Sequence, residues 1–226
     1  MTGKTHMICS TAAVSVYALA HWRGVDIGGA EMLPALFIAP AAVGAYMPDM
    51  DIQQSRLGSK FKFLSKNMKH RGITHTLVVP TVLAIAAFTM QSRSASIFVS
   101  ILVGILMMML FDKKIGTRKK GKVAKVLDIF TSKIGVFATI AMVIMSWFKP
   151  SIGSSILFGL FLGWTLHIFE DMFNNTGCPI LYPLAKGRVH LPWVAIVKTR
   201  HWTEAVFLLL WLGGCAIWAL SILAGA

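Results

Sequence analysis

Long apolar runs separated by short polar segments recur along the whole chain. They fall at about 7–21, 33–47, 76–91, 95–111, 134–148, 152–169 and 204–224, each of spanning or near-spanning length. In lipid such runs are helical, because every backbone polar group needs an internal partner. The pattern predicts an all-α, polytopic helical membrane protein with about seven hydrophobic helices in one integral membrane domain, residues 1–226. Several runs are short for a hydrocarbon core of about 30 Å, so the first, third and fifth are expected to tilt, thin the bilayer or enter only part way. An apolar content of 56%, only 14% charged residues and a mean hydropathy of +0.68 exclude an ordinary soluble domain.

The formal net charge is +13, yet the basic residues fall between apolar runs and not on one soluble face, so no nucleic acid is expected. Their distribution orients the chain. With Met1 to His6 in the cytoplasm, segments 49–75, 112–133 and 170–203 lie there too. Nineteen of the 22 Lys and Arg then share that side, against Arg23, Arg93 and Lys149 opposite. This predicts a multi-pass membrane protein, N-terminus in and C-terminus out, with a cationic face toward membrane lipid and anionic phospholipid headgroups. Residues 112–133 read as a basic cytoplasmic loop. The first run has some features of a signal peptide, with Lys4 ahead of it and Ala18-Leu19-Ala20 after it, and is read as a retained helix. Cys9, Cys178 and Cys215 have no paired spacing, so neither a disulfide framework nor a zinc ribbon is implied.

Charge inside this apolar chain is concentrated. Met47-Pro48-Asp49-Met50-Asp51, His70-Arg71-Gly72-Ile73-Thr74-His75 and Leu166-His167-Ile168-Phe169-Glu170-Asp171 hold four of the nine carboxylates and three of the seven histidines. Each group sits at the end of an apolar run, where unpaired charge is costly. His167 and Asp171 are four apart, hence on one helix face and within reach of a shared metal. Asp49 and Asp51 are two apart just after Pro48, a spacing that can chelate or bridge cations. With His70, His75 and His6, the charge-based topology brings all seven side chains to the cytoplasmic ends of four helices. Taken singly, each has a plain structural alternative: a helix cap, a partner for loop lysines, a hydrogen-bonded core histidine. A His/Asp mixture without clustered cysteine points to zinc, manganese or iron, with zinc first.

The order Pro-Asp-x-Asp, His-Arg-Gly-x-Thr-His and His-x-x-x-Asp, with an early Thr-His and a later Asn-Thr-Gly-Cys-Pro-x-x-Tyr-Pro, resembles the YdjM/YbcI family of bacterial inner-membrane proteins. That family is described as membrane-bound metal-dependent hydrolases. More distantly the pattern is similar to the helical zinc-dependent phospholipase C and nuclease P1 group, whose site holds three zincs. The resemblance implies His6, Asp49, His70, His75, His167 and Asp171 as ligands of two or three Zn2+ ions, with Asp51 a ligand or a general base. His201 and Glu204 are similar to that group's late His/Glu pair, although their spacing is three and not four. The implied reaction is hydrolysis of a phosphoester in a phospholipid or lipid-linked substrate. Asp51 or Glu170 would take the water proton, and Arg71 would bind a phosphate oxygen. Thr74 and Thr176 are expected to orient ligands, and Asn174 to touch substrate. The competing expectations are a metal-stabilised non-enzymatic membrane protein, a divalent-ion transporter, and a lipid-surface protein acting through 112–125.

Overall fold

A computed structural model describes the chain except residues 28–29, 54, 56–57, 68–70, 112–135, 192–196 and 226. Helix α1 (Gly3–Ala20) is capped by Thr2, whose hydroxyl accepts from the Thr5 N–H, and it ends at His21. A short antiparallel hairpin follows, β1 (Val25–Ile27) with β2 (Ala30–Met32), pairing Asp26 with Glu31. Pro34 opens a 3-10 turn that runs into α2 (Ile38–Tyr46). Pro48 stops α2, since it brings no N–H to the ladder, and starts a second 3-10 turn, Pro48–Asp51. After α3 (Lys62–Asn67), a third such turn, Ile73–His75, leads to α4 (Val78–Thr89) and α5 (Arg93–Phe111). Helices α6 (Val136–Phe148), α7 (Ser151–Asp171) and α8 (Trp202–Gly225) complete the order.

The apolar helices lie where the hydrophobic pattern places them, and the chain is mainly helical. Two of them, α7 and α8, are long and apolar enough to cross a membrane. Helix α2, with 9 residues, reaches only about 14 Å at 1.5 Å per residue, roughly half a bilayer core. The hairpin occupies the connection between α1 and the 3-10 turn at Pro34. The basic loop 112–133 lies outside the described residues.

Helix α7 is the centre of the assembly, and α1, α2, α4 and α5 pack around it. It runs parallel to α2, with rungs four residues apart: Phe37 faces Gly159, Ala41 faces Gly163, and Ala45 faces His167. A methyl group on Gly159 would lie 2.6 Å from the Phe37 carbonyl oxygen, and one on Gly163 would collide with the Ala41 carbonyl. The backbones therefore touch, the small-residue packing by which helices associate without a hydrophobic drive. Around this seam Phe37, Ala41, Val43, Ile152, Ile156 and Leu160 form the core. Serines supply polar links between helices: Ser96 Oγ accepts the Gly153 N–H at 2.7 Å, and Ser100 and Ser146 hydroxyls meet at 2.7 Å.

Helix α8 differs. It leans on α1 and leaves Leu209, Leu210, Ile217, Leu220 and Leu223 exposed. A continuous apolar surface of this kind suits acyl chains and not water. The same comparison of helices yields a stability test. Gly163→Val must push α2 from α7 and is expected to cost about 1–3 kcal/mol or more. Gly213→Val, with nothing within 4 Å of its new atoms, should be neutral. Thermal unfolding of both variants in detergent checks this, and equal melting points would contradict the packing described.

Candidate metal centre

Where α2 stops short, the space at its C-terminal end is filled by charged side chains from four parts of the chain. His6 comes from the first turn of α1, Asp49 and Asp51 from the turn after α2, Thr74 and His75 from the turn before α4. His167, Glu170 and Asp171 come from the last turn of α7. All are buried; His75, His167 and Glu170 have no exposed surface.

Each imidazole is held by its Nδ1 atom. His6 Nδ1 lies 2.7 Å from Glu170 Oε2, and the other carboxylate oxygen accepts from the Ser10 hydroxyl at 3.0 Å. His167 Nδ1 lies 2.7 Å from the Ala45 carbonyl oxygen. His75 Nδ1 lies 3.0 Å from Thr74 Oγ1 and 3.4 Å from Asp51 Oδ2, while the Thr74 hydroxyl itself donates to Asp51 at 2.8 Å. A carbonyl and a carboxylate only accept, so in all three rings Nδ1 carries the proton. In the neutral rings the Nε2 atoms then bear lone pairs, and they converge. His75 Nε2 and His167 Nε2 are 3.3 Å apart, His6 Nε2 is 3.3 Å from Asp171 Oδ1, and Asp49 Oδ1 is 3.9 Å from His167 Nε2. Lone pairs facing one another in a buried space repel unless a proton or a cation lies between them.

Among the described residues two ligand groups meet these distances, His6 with His167 and Asp171, and Asp49 with His75 and His167. In each the donor atoms lie within 4.8 Å of one another, and His167 is common to both. The donor set fits a divalent metal: imidazole Nε2 and carboxylate oxygen, each imidazole oriented from behind by a hydrogen-bond acceptor, as is usual for metal-bound histidine. Burial also pushes the Asp49 carboxyl above the usual carboxylate range, so ionised Asp49 calls for a cation beside it.

Arg71 frames one side of the centre. Its backbone is left-handed, φ 56°, a conformation that costs a non-glycine residue about 1–3 kcal/mol. In return its N–H donates to Asp51 Oδ2 at 2.8 Å, and its guanidinium reaches Asp171 Oδ2 at 3.1 Å and the Gly177 carbonyl at 3.0 Å. Two clefts open beside it. One, of about 590 Å³, is lined by Arg71, Ile73, Pro179, Tyr182, Lys186 and Arg188; the other, of about 410 Å³, by Arg71, Asn174, Thr176, Arg188, Lys198 and Thr199.

Of the residues singled out from sequence, His6, Asp49, Asp51, Arg71, Thr74, His75, His167, Glu170 and Asp171 are brought together. His70 lies outside the described residues. Asp51 and Glu170, expected to act on water, instead hold His75 and His6 by Nδ1. Arg71, expected on substrate, is committed to Asp171 and Gly177. His201 is exposed on the Thr203 side chain and does not reach the centre. Glu204 is buried elsewhere, accepting from Thr2 N–H at 2.6 Å, Thr5 Oγ1 at 2.5 Å and Arg200 N–H at 2.7 Å, which fastens α8 to the start of α1. Thr176 is exposed on a cleft wall, and Asn174 is buried with its amide toward Thr199 at 3.5 Å.

Four further groups support the centre without having been expected there: Ser10, the Ala45 carbonyl, Trp164 and Cys178. Trp164 Nε1 donates to the Thr74 carbonyl at 2.7 Å, and the Cys178 thiol to the His75 carbonyl at 3.1 Å. Burial, reinforced by Asp171, pushes that thiol up to about 12, so it remains a protonated donor. Ser10 alone had a local signal, lying one helical turn from His6.

This constellation has known company. The YdjM inner membrane protein family matches residues 1–118 and 133–225, nearly the whole chain. The chain belongs to the YdjM inner membrane protein family. Membership carries the inner-membrane location with it, in keeping with the exposed apolar α8. An 82-residue stretch is 40% identical to YvsG of Bacillus subtilis (strain 168), covering 34% of this chain and 46% of that relative. The match thus spans under half of the relative's length. No solved structure matches the chain.

The orienting role of Glu170 is testable in this YdjM-family protein. Glu170→Ala should leave metal stoichiometry intact but weaken affinity about 10–100-fold, the usual effect of removing a partner behind a ligating histidine. Competition with a metal-selective chelator measures it. Unchanged affinity would remove Glu170 from the centre's support.

Proposed function

We propose that this protein is a membrane-embedded, metal-dependent hydrolase of a phosphoester, with zinc as the metal and the centre facing the cytoplasm. The multi-pass, N-terminus-in arrangement is part of the same proposal, supported by the lysine and arginine asymmetry. One observation carries the reading: imidazoles from three separate elements turn their Nε2 lone pairs toward one another and toward Asp49 and Asp171.

His6, Asp49, His75, His167 and Asp171 would hold the metal. A bound divalent cation supplies a Lewis acid toward a phosphoryl oxygen and makes water more acidic. The chain's own groups do the rest. Glu170, the Ala45 carbonyl and the Thr74/Asp51 pair fix the rotation and tautomer of the three rings, so the donor atoms are in place before substrate arrives. Arg71 braces Asp171 and closes the centre on the cleft side. The apolar core around α2 and α7 excludes bulk water, which strengthens each of these interactions. In this scheme Asp51 and Glu170 are positioning residues.

A second reading, a purely structural metal site, is favoured by the complete burial of His75 and His167. The clefts against Arg71 favour the enzyme, since a structural site needs no approach from solvent. Full-length protein in detergent should hydrolyse a short-chain phospholipid or bis(p-nitrophenyl) phosphate only with metal present. Asp49→Ala and His167→Ala should each lower the rate at least about a hundredfold, as expected when several kcal/mol of transition-state stabilisation is lost. Activity that survives both substitutions sinks the hydrolase. Elemental analysis giving one ion per chain, with no turnover on either substrate, supports the structural reading.

A further inference from the structure

The two clefts beside the metal centre are not alike, and they share two walls. Arg71 and Arg188 line both. The larger has Ile73, Pro179 and Tyr182 along it, and of these Ile73 and Tyr182 are exposed, as are Leu181 and Leu184 on either side of Tyr182 in the sequence. The smaller has Asn174, Asn175, Thr176 and Thr199, with no large apolar side chain. Cations stand at each: Lys186 in the larger, Lys198 in the smaller.

Arg71 is already spent on Asp171 and Gly177, so its charge is largely matched by a carboxylate 3.1 Å away. Arg188 is different. Its guanidinium is exposed and rests NH1 on the Thr176 carbonyl at 3.2 Å, a contact that steers the group without neutralising it. Lys186 and Lys198 are exposed as well. The junction of the clefts is thus a net positive position beside a carboxylate-rich centre, with an apolar lobe on one side and a polar lobe on the other.

The geometry points to an amphiphilic anion as the ligand of this double cleft. A phosphate-type group would sit at the junction on Arg188, flanked by Lys186 and Lys198. An apolar chain would lie along Ile73, Pro179 and Tyr182, and a small polar moiety along Asn175, Thr176 and Thr199. Arginine suits the junction because its fork pairs with two phosphate oxygens at once. Tyr182 in the lobe is itself exposed, and its neighbours Leu181 and Leu184 are exposed too, an apolar edge suited to a molecule that arrives from a lipid surface. This assignment rests on the hydrolase reading for its biological sense, but the binding it describes is independent of turnover.

The test uses full-length, metal-loaded protein in detergent and three probes: a non-hydrolysable dihexanoyl phosphonolipid, inorganic phosphate, and dihexanoylglycerol. Equilibrium binding by calorimetry should rank the phosphonolipid at least about tenfold tighter than either of the others. Arg188→Ala should weaken the phosphonolipid and phosphate about tenfold each, with much of the loss recovered in Arg188→Lys. Tyr182→Ser should weaken the phosphonolipid and leave phosphate unchanged. Equal affinity for phosphonolipid and phosphate would overturn the apolar lobe, and indifference to Arg188→Ala would overturn the anion position. Phosphonolipid binding as described, in a protein that turns over no phosphoester, would cost only the hydrolase reading.

Discussion

The contact between the α2 and α7 backbones is the constraint on which the centre depends. Gly159 and Gly163 let the helices approach until carbonyls of α2 rest on α7, and the next rung of the same seam is His167 on the Ala45 carbonyl. A wider spacing would leave His167 Nδ1 without its acceptor and let the ring rotate. The short length of α2 matters equally. Because Pro48 ends it early, Asp49 and Asp51 enter the bundle where a continuing helix would have put apolar side chains.

This much buried charge is supported by groups shared between several partners. Asp51 accepts from Arg71 N–H and Thr74 while facing His75; Glu170 joins Ser10 to His6; Arg71 joins the Asp51 turn, Asp171 and Gly177. Such networks are stable when satisfied and costly when broken, since an orphaned charge keeps its full desolvation penalty. The left-handed backbone at Arg71 fits this picture. No relaxed conformation at that position would serve its N–H and its guanidinium on two carboxylates at once, so the local strain is supported by the contacts it permits.

Much of this was legible in the sequence. Apolar runs locate the helices, and the rule that basic segments share one side groups His6, Asp49, Asp51, His70, His75, His167 and Asp171 at one end. The i, i+4 relation of His167 and Asp171 carried directly into the structure. What was not legible has a common cause: tertiary contacts by groups with no characteristic residue type. The Ala45 carbonyl belongs to every sequence alike, and Trp164 and Cys178 reach backbone oxygens 90 and 103 residues away. Glu170, expected to take the water proton, reaches His6 on another helix, a contact that local spacing along α7 does not reveal. His201 and Glu204 shared a motif by eye but face different surroundings, one exposed and one tied to Thr2 and Thr5.

The link from His6 to Glu170 also bears on how the molecule comes into being. The partners are 164 residues apart, so the ribosome exposes His6 long before Glu170, Asp171 and His167 exist. Until α7 emerges, α1 and α2 have no central helix to lie against. The centre can therefore be completed only after α7 is made, and Glu204 on the later α8 then fastens Thr2 and Thr5 at the start of α1.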